Sequence, residues 1–159
     1  MVARLPVRNP DMVCSELFRE PLFLAVAQGH ALAGKHVVDL QVIRNERFFL
    51  LKEGHCLHDD VRTACTRAHA ELRSIFETNQ LESIFQLVRS AFGLTLVPAM
   101  AAAHASGCML VPLHGNIFRR IGYLRARRHF VSRPMREFVA WLRALTSNEA
   151  QKASCVRAV

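Results

Sequence analysis

Apolar residues along this chain fall into two rhythms, short unbroken runs and stripes at spacings of three and four, and the two alternate. Residues 17–27 read as an extended apolar segment in which Pro21 predicts a change of chain direction. Residues 31–34 read as a turn, and Asp39 as the cap of a short helix carrying Leu40 and Ile43. Residues 48–51, Phe-Phe-Leu-Leu, contain no polar position and stop at Lys52, Glu53 and Gly54. Such a run fits a strand buried on both faces of a parallel sheet. Val61, Cys65, Ala68 and Leu72 then recur at steps of four, three and four, which predicts a helix starting near Asp59 or Asp60 with Cys65 on its apolar face.

Residues 74–77 are the next strand candidate. Asn79 and Glu82 form a capping-box-like start to a helix lined by Leu81, Ile84, Phe85, Val88 and Phe92, with Gly93 as its C′ residue. A strand at 94–97 ends at Pro98, and a short alanine-rich helix stops near Gly107. Strands at 109–113 and 121–125 precede a final helix capped by Ser132, with Pro134 in its first turn. Its inner face is expected to carry Met135, Phe138, Val139, Leu142 and Leu145, with Trp141 at the margin. Strands alternating with helices over short connections predict an α/β fold.

The chain has 159 residues, enough for a buried core, and no apolar run long enough to span a bilayer. The N-terminus carries basic residues without an apolar h-region, so it does not read as a secretory signal. Five cysteines, at 14, 56, 65, 108 and 155, are an odd number without framework spacing, which favours a reducing cytoplasm and free thiols. Cys14, Cys108 and Cys155 read as a loop, a strand and a tail residue. The formal net charge is +8, and Arg119, Arg120, Arg125, Arg127, Arg128, Arg133, Arg136 and Arg143 crowd the last third. Either a nucleic-acid patch or a solvated or partner-covered face fits that crowding. No recognition-helix, zinc-finger or stacking-aromatic pattern accompanies it, which favours the second reading.

The chemistry concentrates around Cys56. A thiol beside a helix N-terminus feels the positive end of the dipole, and a nearby imidazolium or arginine further favours its thiolate. His55 and His58 flank it, and Asp59 can cap the helix or orient water or peroxide. Cys65 is close in sequence yet hard to reach from Cys56 within a regular helix. Metal ligation by His55, Cys56, His58 and Cys65 is a competing use, but no C-x-x-C or H-x3-H spacing supports it.

The segment Gly54-His55-Cys56-Leu57-x-Asp59 followed by Cys65 resembles the redox motif of OxyR-type peroxide sensors, a branch of the LysR-type transcriptional regulators. Phe76-Glu77-x4-Leu81-Glu82, Gly93-Leu94-Thr95-Leu96-Val97-Pro98 and Arg119-x-Ile121-Gly122 resemble segments of LysR-type effector-binding domains, so that the likeness runs from about residue 17 to 145. His58 and Asp60 depart from the Arg and Gln of the OxyR motif. The resemblance implies a periplasmic-binding-protein-like type 2 effector domain of two α/β subdomains linked by crossing strands at 21–27 and 120–125. On that pattern, residues 1–20 are a remnant of the first subdomain and 21–119 the second, which carries the cysteines. Residues 120–147 are then the return strand and closing helix of the first, and 148–159 a tail. The family's N-terminal winged helix-turn-helix and the opening strands of the first subdomain have no counterpart here. The expectation is a chain truncated at its N-terminus that would touch DNA only through that absent domain.

The resemblance further implies a peroxidatic Cys56 and a resolving Cys65, with Arg119 brought from the return strand to support the thiolate alongside His55 and Asp59. With a helix starting at Asp60, Cys65 would lie about 7–8 Å along the axis and Cys56 further back, whereas a disulfide needs Cα atoms within about 7 Å. Unless the loop folds back over the helix, bonding requires its first turns to unwind, a bistable element suited to a regulator. Implied partners are a second copy in a dimer or tetramer, hydrogen peroxide or another small effector, and RNA polymerase, with no membrane and no cofactor. A regulator binding a small organic effector between its subdomains, with inert cysteines, is the first alternative. A thiol peroxidase is the enzymatic alternative, and no second catalytic constellation supports it, so the expectation is a non-enzyme.

Overall fold

A computed structural model describes residues 1–155 apart from Arg8, Asn116 and His129, with side chains described as far as residue 146. The chain forms two compact units. Met1–Glu20 with Arg119–Val159 make the first, and Pro21–Phe118 make the second.

In the second unit the core is built on β2, Met12–Ala27, whose last residues enter the unit fully buried. They pair antiparallel on one side with β5, Thr95–Pro98, and on the other with β6, Cys108–Pro112. The unbroken apolar run at 48–51 is strand β3, Phe48–Leu51, buried at all four positions. It pairs in parallel with β4, Ser74–Thr78, and a parallel bridge from Phe48 to Leu94 joins it to the edge of β5. Thr95 Oγ1 donates to the Phe49 carbonyl at 2.8 Å, so the one buried polar side chain on β5 is satisfied.

Helix α1, Cys56–Arg67, packs Leu57, Val61, Ala64 and Cys65 into this core. Helix α2, Leu81–Arg89, contributes Ile84, Phe85 and Val88, all fully buried. Short 3-10 helices occupy Leu40–Asn45 and Ala99–His104. The first is capped as expected, with Asp39 Oδ1 accepting from the Gln41 N–H at 2.9 Å.

The first unit holds β1, Val2–Leu5, which the sequence pattern did not suggest, the leading part of β2, and β7, Phe118–Ala126. β7 lies between β1 and β2, with Leu5 opposite Arg120 and Val2 opposite Tyr123. Gly122 is required there: a Cβ would fall 2.5 Å from both Leu5 Cδ1 and the Ser15 carbonyl. Helix α3, Arg133–Cys155, follows. Ser132 Oγ accepts from the Met135 N–H at 3.4 Å, in agreement with its expected capping role.

Several expectations are corrected. The chain does not turn at Pro21; the strand continues through it. Pro21 lacks an N–H, but the β5 and β6 ladders begin only at Leu22 and Phe23, so none is needed at that position. Cys14 lies in β2, not in a loop. Asn79 does not cap α2, whose N-cap is Gln80 without a side-chain capping bond, and Glu82 instead pairs with Arg89 at 3.0 Å. The left-handed residue ending α2 is Ala91 (φ 58°), with N–H bonds from Ala91 to the Val88 carbonyl and from Phe92 to the Leu87 carbonyl. Gly93 serves a different need: a Cβ there would lie 2.4 Å from the Arg47 carbonyl oxygen. Phe92 is exposed, and Leu72 lies beyond the end of α1.

On α3, Met135, Val139, Leu142 and Thr146 form the half-buried stripe, while Phe138, Trp141 and Leu145 stand in solvent. Phe138 and Trp141 stack on each other at 5.9 Å between centroids. The helix runs through Cys155 where a tail was expected from 148; the side chain of Cys155 and residues 156–159 lie outside what is described. Among the described residues, no helix is long and apolar enough to cross a membrane.

Candidate functional site

The buried strand β3 ends at Leu51, and the Lys52 N–H is held by the Thr78 carbonyl at the tip of β4. Gly54 then takes φ 91°, a left-handed conformation that a side chain resists, and turns the chain into α1. The helix begins at Cys56, three to four residues before the expected start. His55 is its N-cap, with Nδ1 accepting from the Leu57 N–H at 3.3 Å. Sequence reasoning looked for the usual Asp, Asn, Ser or Thr at this position and passed over an imidazole nitrogen that does the same work. Asp59 is therefore an in-helix residue of the first turn, near the positive end of the dipole, and not the cap.

Cys56 is exposed as the first helical residue. Cys65 is 2% exposed, and burial pushes its thiol pKa up to about 12 from an ordinary 9.0. At 1.5 Å per residue the nine steps between them amount to about 13 Å of axial rise. The earlier helix start thus makes the separation larger than the sequence suggested and places both thiols within one continuous helix. Disulfide geometry, with Cα atoms no more than about 7 Å apart, is incompatible with that helix.

His58 is buried and its Nδ1 lies 3.3 Å from Asp59 Oδ1, while the Asp59 side chain remains 56% exposed. His55, Cys56, His58 and Asp59 are thus gathered into the first turn, and Cys65 sits two and a half turns deeper. Arg119 belongs to the first unit, where its Nε donates to Glu20 Oε2 at 2.6 Å, with the two side chains 14% and 2% exposed. The Glu20 partner went unnoticed in the sequence, because a contact spanning ninety-nine residues leaves no local signal. Of the other cysteines, Cys14 is exposed, and Cys108 donates weakly to the Phe85 carbonyl at 3.8 Å. Burial raises the Cys108 pKa, against a lowering by Arg89 and with a further rise from Glu82. Among the described residues, no three His, Cys, Asp or Glu side chains converge as metal ligands.

The two thiols differ in access, one exposed in the first turn and the other buried within the same helix. The outer sulfur can react with a small oxidant, and the inner one can respond only after the helix opens.

Comparison with known proteins places this arrangement in a family. Residues 1–147 match the LysR substrate binding domain. Among curated proteins, the DNA-binding transcriptional dual regulator OxyR of Escherichia coli K12 is 34% identical over 85 residues, covering 54% of this chain and 28% of that protein. The probable hydrogen peroxide-inducible genes activator of Mycobacterium avium is 33% identical over 99 residues, 61% of this chain and 32% of its own. The matches thus span about a third or less of these regulators. Among solved structures, an OxyR mutant from Corynebacterium glutamicum superposes with a TM-score of 0.84 at 24% identity, over 98% of this chain and 50% of that one. The BenM effector binding domain with benzoate gives 0.79 at 21% identity, over 93% and 69%. These likenesses show the fold, that of the periplasmic-binding-protein-like LysR effector domains. With most of its length matched and an OxyR-like cysteine segment on α1, the chain belongs to the LysR substrate-binding-domain family.

Proposed function

We propose that this chain is the sensing domain of a peroxide-responsive LysR-type transcriptional regulator, switched by a reversible Cys56–Cys65 disulfide that remodels α1. The observation that carries the reading is the pairing of an exposed Cys56 with a Cys65 that is 2% exposed in the same helix. The Cys56 thiolate attacks one peroxide oxygen; an S–O bond forms, the O–O bond breaks, and the departing hydroxide takes up one proton and leaves as water. As α1 opens, the Cys65 sulfur attacks the sulfenic sulfur of Cys56. The S–S bond forms, the S–O bond breaks and a second water leaves. Two thiols supply the two electrons that the peroxide takes up.

His55 and Asp59 act on this site from the first turn; the family pattern adds Arg119, which here donates to Glu20 in the first unit. DNA binding, assembly with further copies and contact with RNA polymerase belong to the whole regulator in this reading. The names of several matched relatives, hydrogen peroxide-inducible genes activators from different bacteria, support it.

Peptide mapping after stoichiometric hydrogen peroxide tests the proposal. The expected product is a Cys56–Cys65 disulfide, and Cys65→Ser should instead accumulate a trappable sulfenic acid on Cys56. An unmodified Cys56, or a disulfide drawn from Cys14 or Cys108 in its place, would sink it. Inert thiols together with a thermal shift on adding small organic acids would favour the effector-binding alternative, for which the shared fold with the benzoate-bound BenM domain is the precedent.

A further inference from the structure

The net charge of +8 is distributed unevenly, and its distribution follows the division into units. In the second unit, residues 21–118, eight Lys and Arg are matched by eight Asp and Glu. In the first, residues 1–20 carry three of each sign, while residues 119–159 carry ten basic and two acidic side chains. The whole excess therefore lies in one unit, although the family's reactive cysteines lie in the other.

Within that unit the arginines are not equivalent. Arg119 is neutralised by Glu20, Arg19 by Glu16, and Arg133 by Glu137 at 2.9 Å. Arg125, Arg127, Arg128 and Arg136 cluster where β7 ends and α3 begins, and among the described residues no carboxylate pairs with them. Arg127 is fixed there by its Nε donating to the Pro10 carbonyl at 3.1 Å and its N–H to the Asp11 carbonyl at 2.7 Å. Arg127, Arg128 and Arg136 are exposed, as is Phe130 between them in sequence.

We infer that the arginines at the end of β7 and the start of α3 form a polyanion-binding surface whose occupant is the phosphate backbone of duplex DNA. Guanidinium groups present paired N–H donors matched to phosphate oxygens, and several of them on one surface can follow a backbone with a charge every ~1.7 Å of helix axis. Sequence reading is not required of such a surface; it would anchor the effector domain against DNA flanking the site chosen elsewhere in the regulator. The inference rests on charge and placement and stands whether or not the cysteines sense peroxide.

The test is fluorescence anisotropy of a labelled random-sequence duplex titrated with the 159-residue chain at a series of salt concentrations. Four phosphate contacts give a log–log slope of about −3.6, so affinity should fall about a hundredfold between ~50 and ~200 mM salt. Replacing two arginines, Arg127→Gln with Arg128→Gln, should reduce the slope by about two. The pair Arg62→Gln with Arg67→Gln in the second unit, which removes the same charge, should leave it unchanged. Absence of binding at low salt would overturn the inference. So would equal effects of the two double variants, which would indicate retention by bulk charge alone. Displacement of the duplex by poly-glutamate at matched charge would overturn it in favour of an acidic protein partner. Circular dichroism of each variant confirms that the fold is retained.

Discussion

Raising the pH should destabilise α1 from within, through Cys65. Its thiol is 2% exposed, and burial moves its pKa from 9.0 to about 12. An unwound chain returns the thiol to its ordinary value, so the unfolded state releases this proton first as pH rises. From about pH 9 to 12 the unfolded state binds fewer protons than the native one, and stability falls by about 1.4 kcal/mol per pH unit. Below that window both states are protonated and the contribution is constant. Urea unfolding of the wild type and of Cys65→Ala at about pH 8 to 10.5 isolates the thiol, because every other titrating group is common to both. The wild type should lose about 1.5 kcal/mol more than the variant between pH ~9 and ~10.5. Parallel pH profiles would refute the reasoning. The same shift bears on the proposed switch, since a three-unit rise makes the thiolate about a thousandfold rarer in the helix than in an opened chain. Resolution of an oxidised Cys56 should therefore be gated by opening of α1.

Three further outcomes follow from the packing. Gly93→Ala forces a Cβ within 2.4 Å of the Arg47 carbonyl, a backbone atom that cannot move aside cheaply. It should cost about 2–3 kcal/mol in thermal or urea unfolding, and a neutral result would show that β3 and β5 can separate there. Ala91→Gly removes a left-handed alanine at φ 58° and should stabilise by about 0.5–1 kcal/mol, the relief of ~1–2 kcal/mol less the added backbone entropy; a loss of stability would contradict the assigned helix end. Glu20→Gln leaves the Arg119 guanidinium, 14% exposed, without its carboxylate and should cost about 2–4 kcal/mol. A change below about 0.5 kcal/mol would mean that the pair is solvated rather than structural.

What the sequence disclosed and what it hid divide along the range of the interactions. Phe48–Leu51 announced a doubly buried strand because every position there is apolar, and Asp39 announced its cap because the acceptor lies two residues from the donor it serves. The cysteine segment was partly legible for the same reason, with its turn glycine and first-turn carboxylate within six residues, although its cap, a histidine, was missed. Long-range facts were not. Gly93 looks like a helix terminator until Arg47 is placed against it, and α3 offers two apolar stripes of similar strength. Only packing decided that Met135, Val139 and Leu142 face inward while Phe138 and Leu145 do not. The charge excess and its crowding into the last third were visible in the sequence, whereas the exact charge balance of the second unit emerges from the division of the fold.

The two ends of α1 are secured very differently, and the difference gives an opening a direction. At the C-terminal end His69 adopts φ 51°, and two bonds close the helix: Ala70 N–H to the Cys65 carbonyl at 2.9 Å and His69 N–H to the Thr66 carbonyl at 3.2 Å. That is a complete Schellman closure, and it ties down the carbonyl of Cys65 itself. At the N-terminal end a single imidazole nitrogen accepts one N–H at 3.3 Å, beyond the usual distance for a strong bond. Fraying therefore begins at Cys56 and must travel inward past Leu57 and Val61 before Cys65 is reached. Hydrogen exchange of the reduced chain should show this as weak protection in the first turn rising toward Cys65, and peroxide should erase the gradient by removing protection across the segment. Uniform protection before oxidation, or unchanged protection after it, would mean that α1 opens as one block or does not open at all. Either result would deny the helix the directional opening through which an exposed Cys56 could draw out a buried partner.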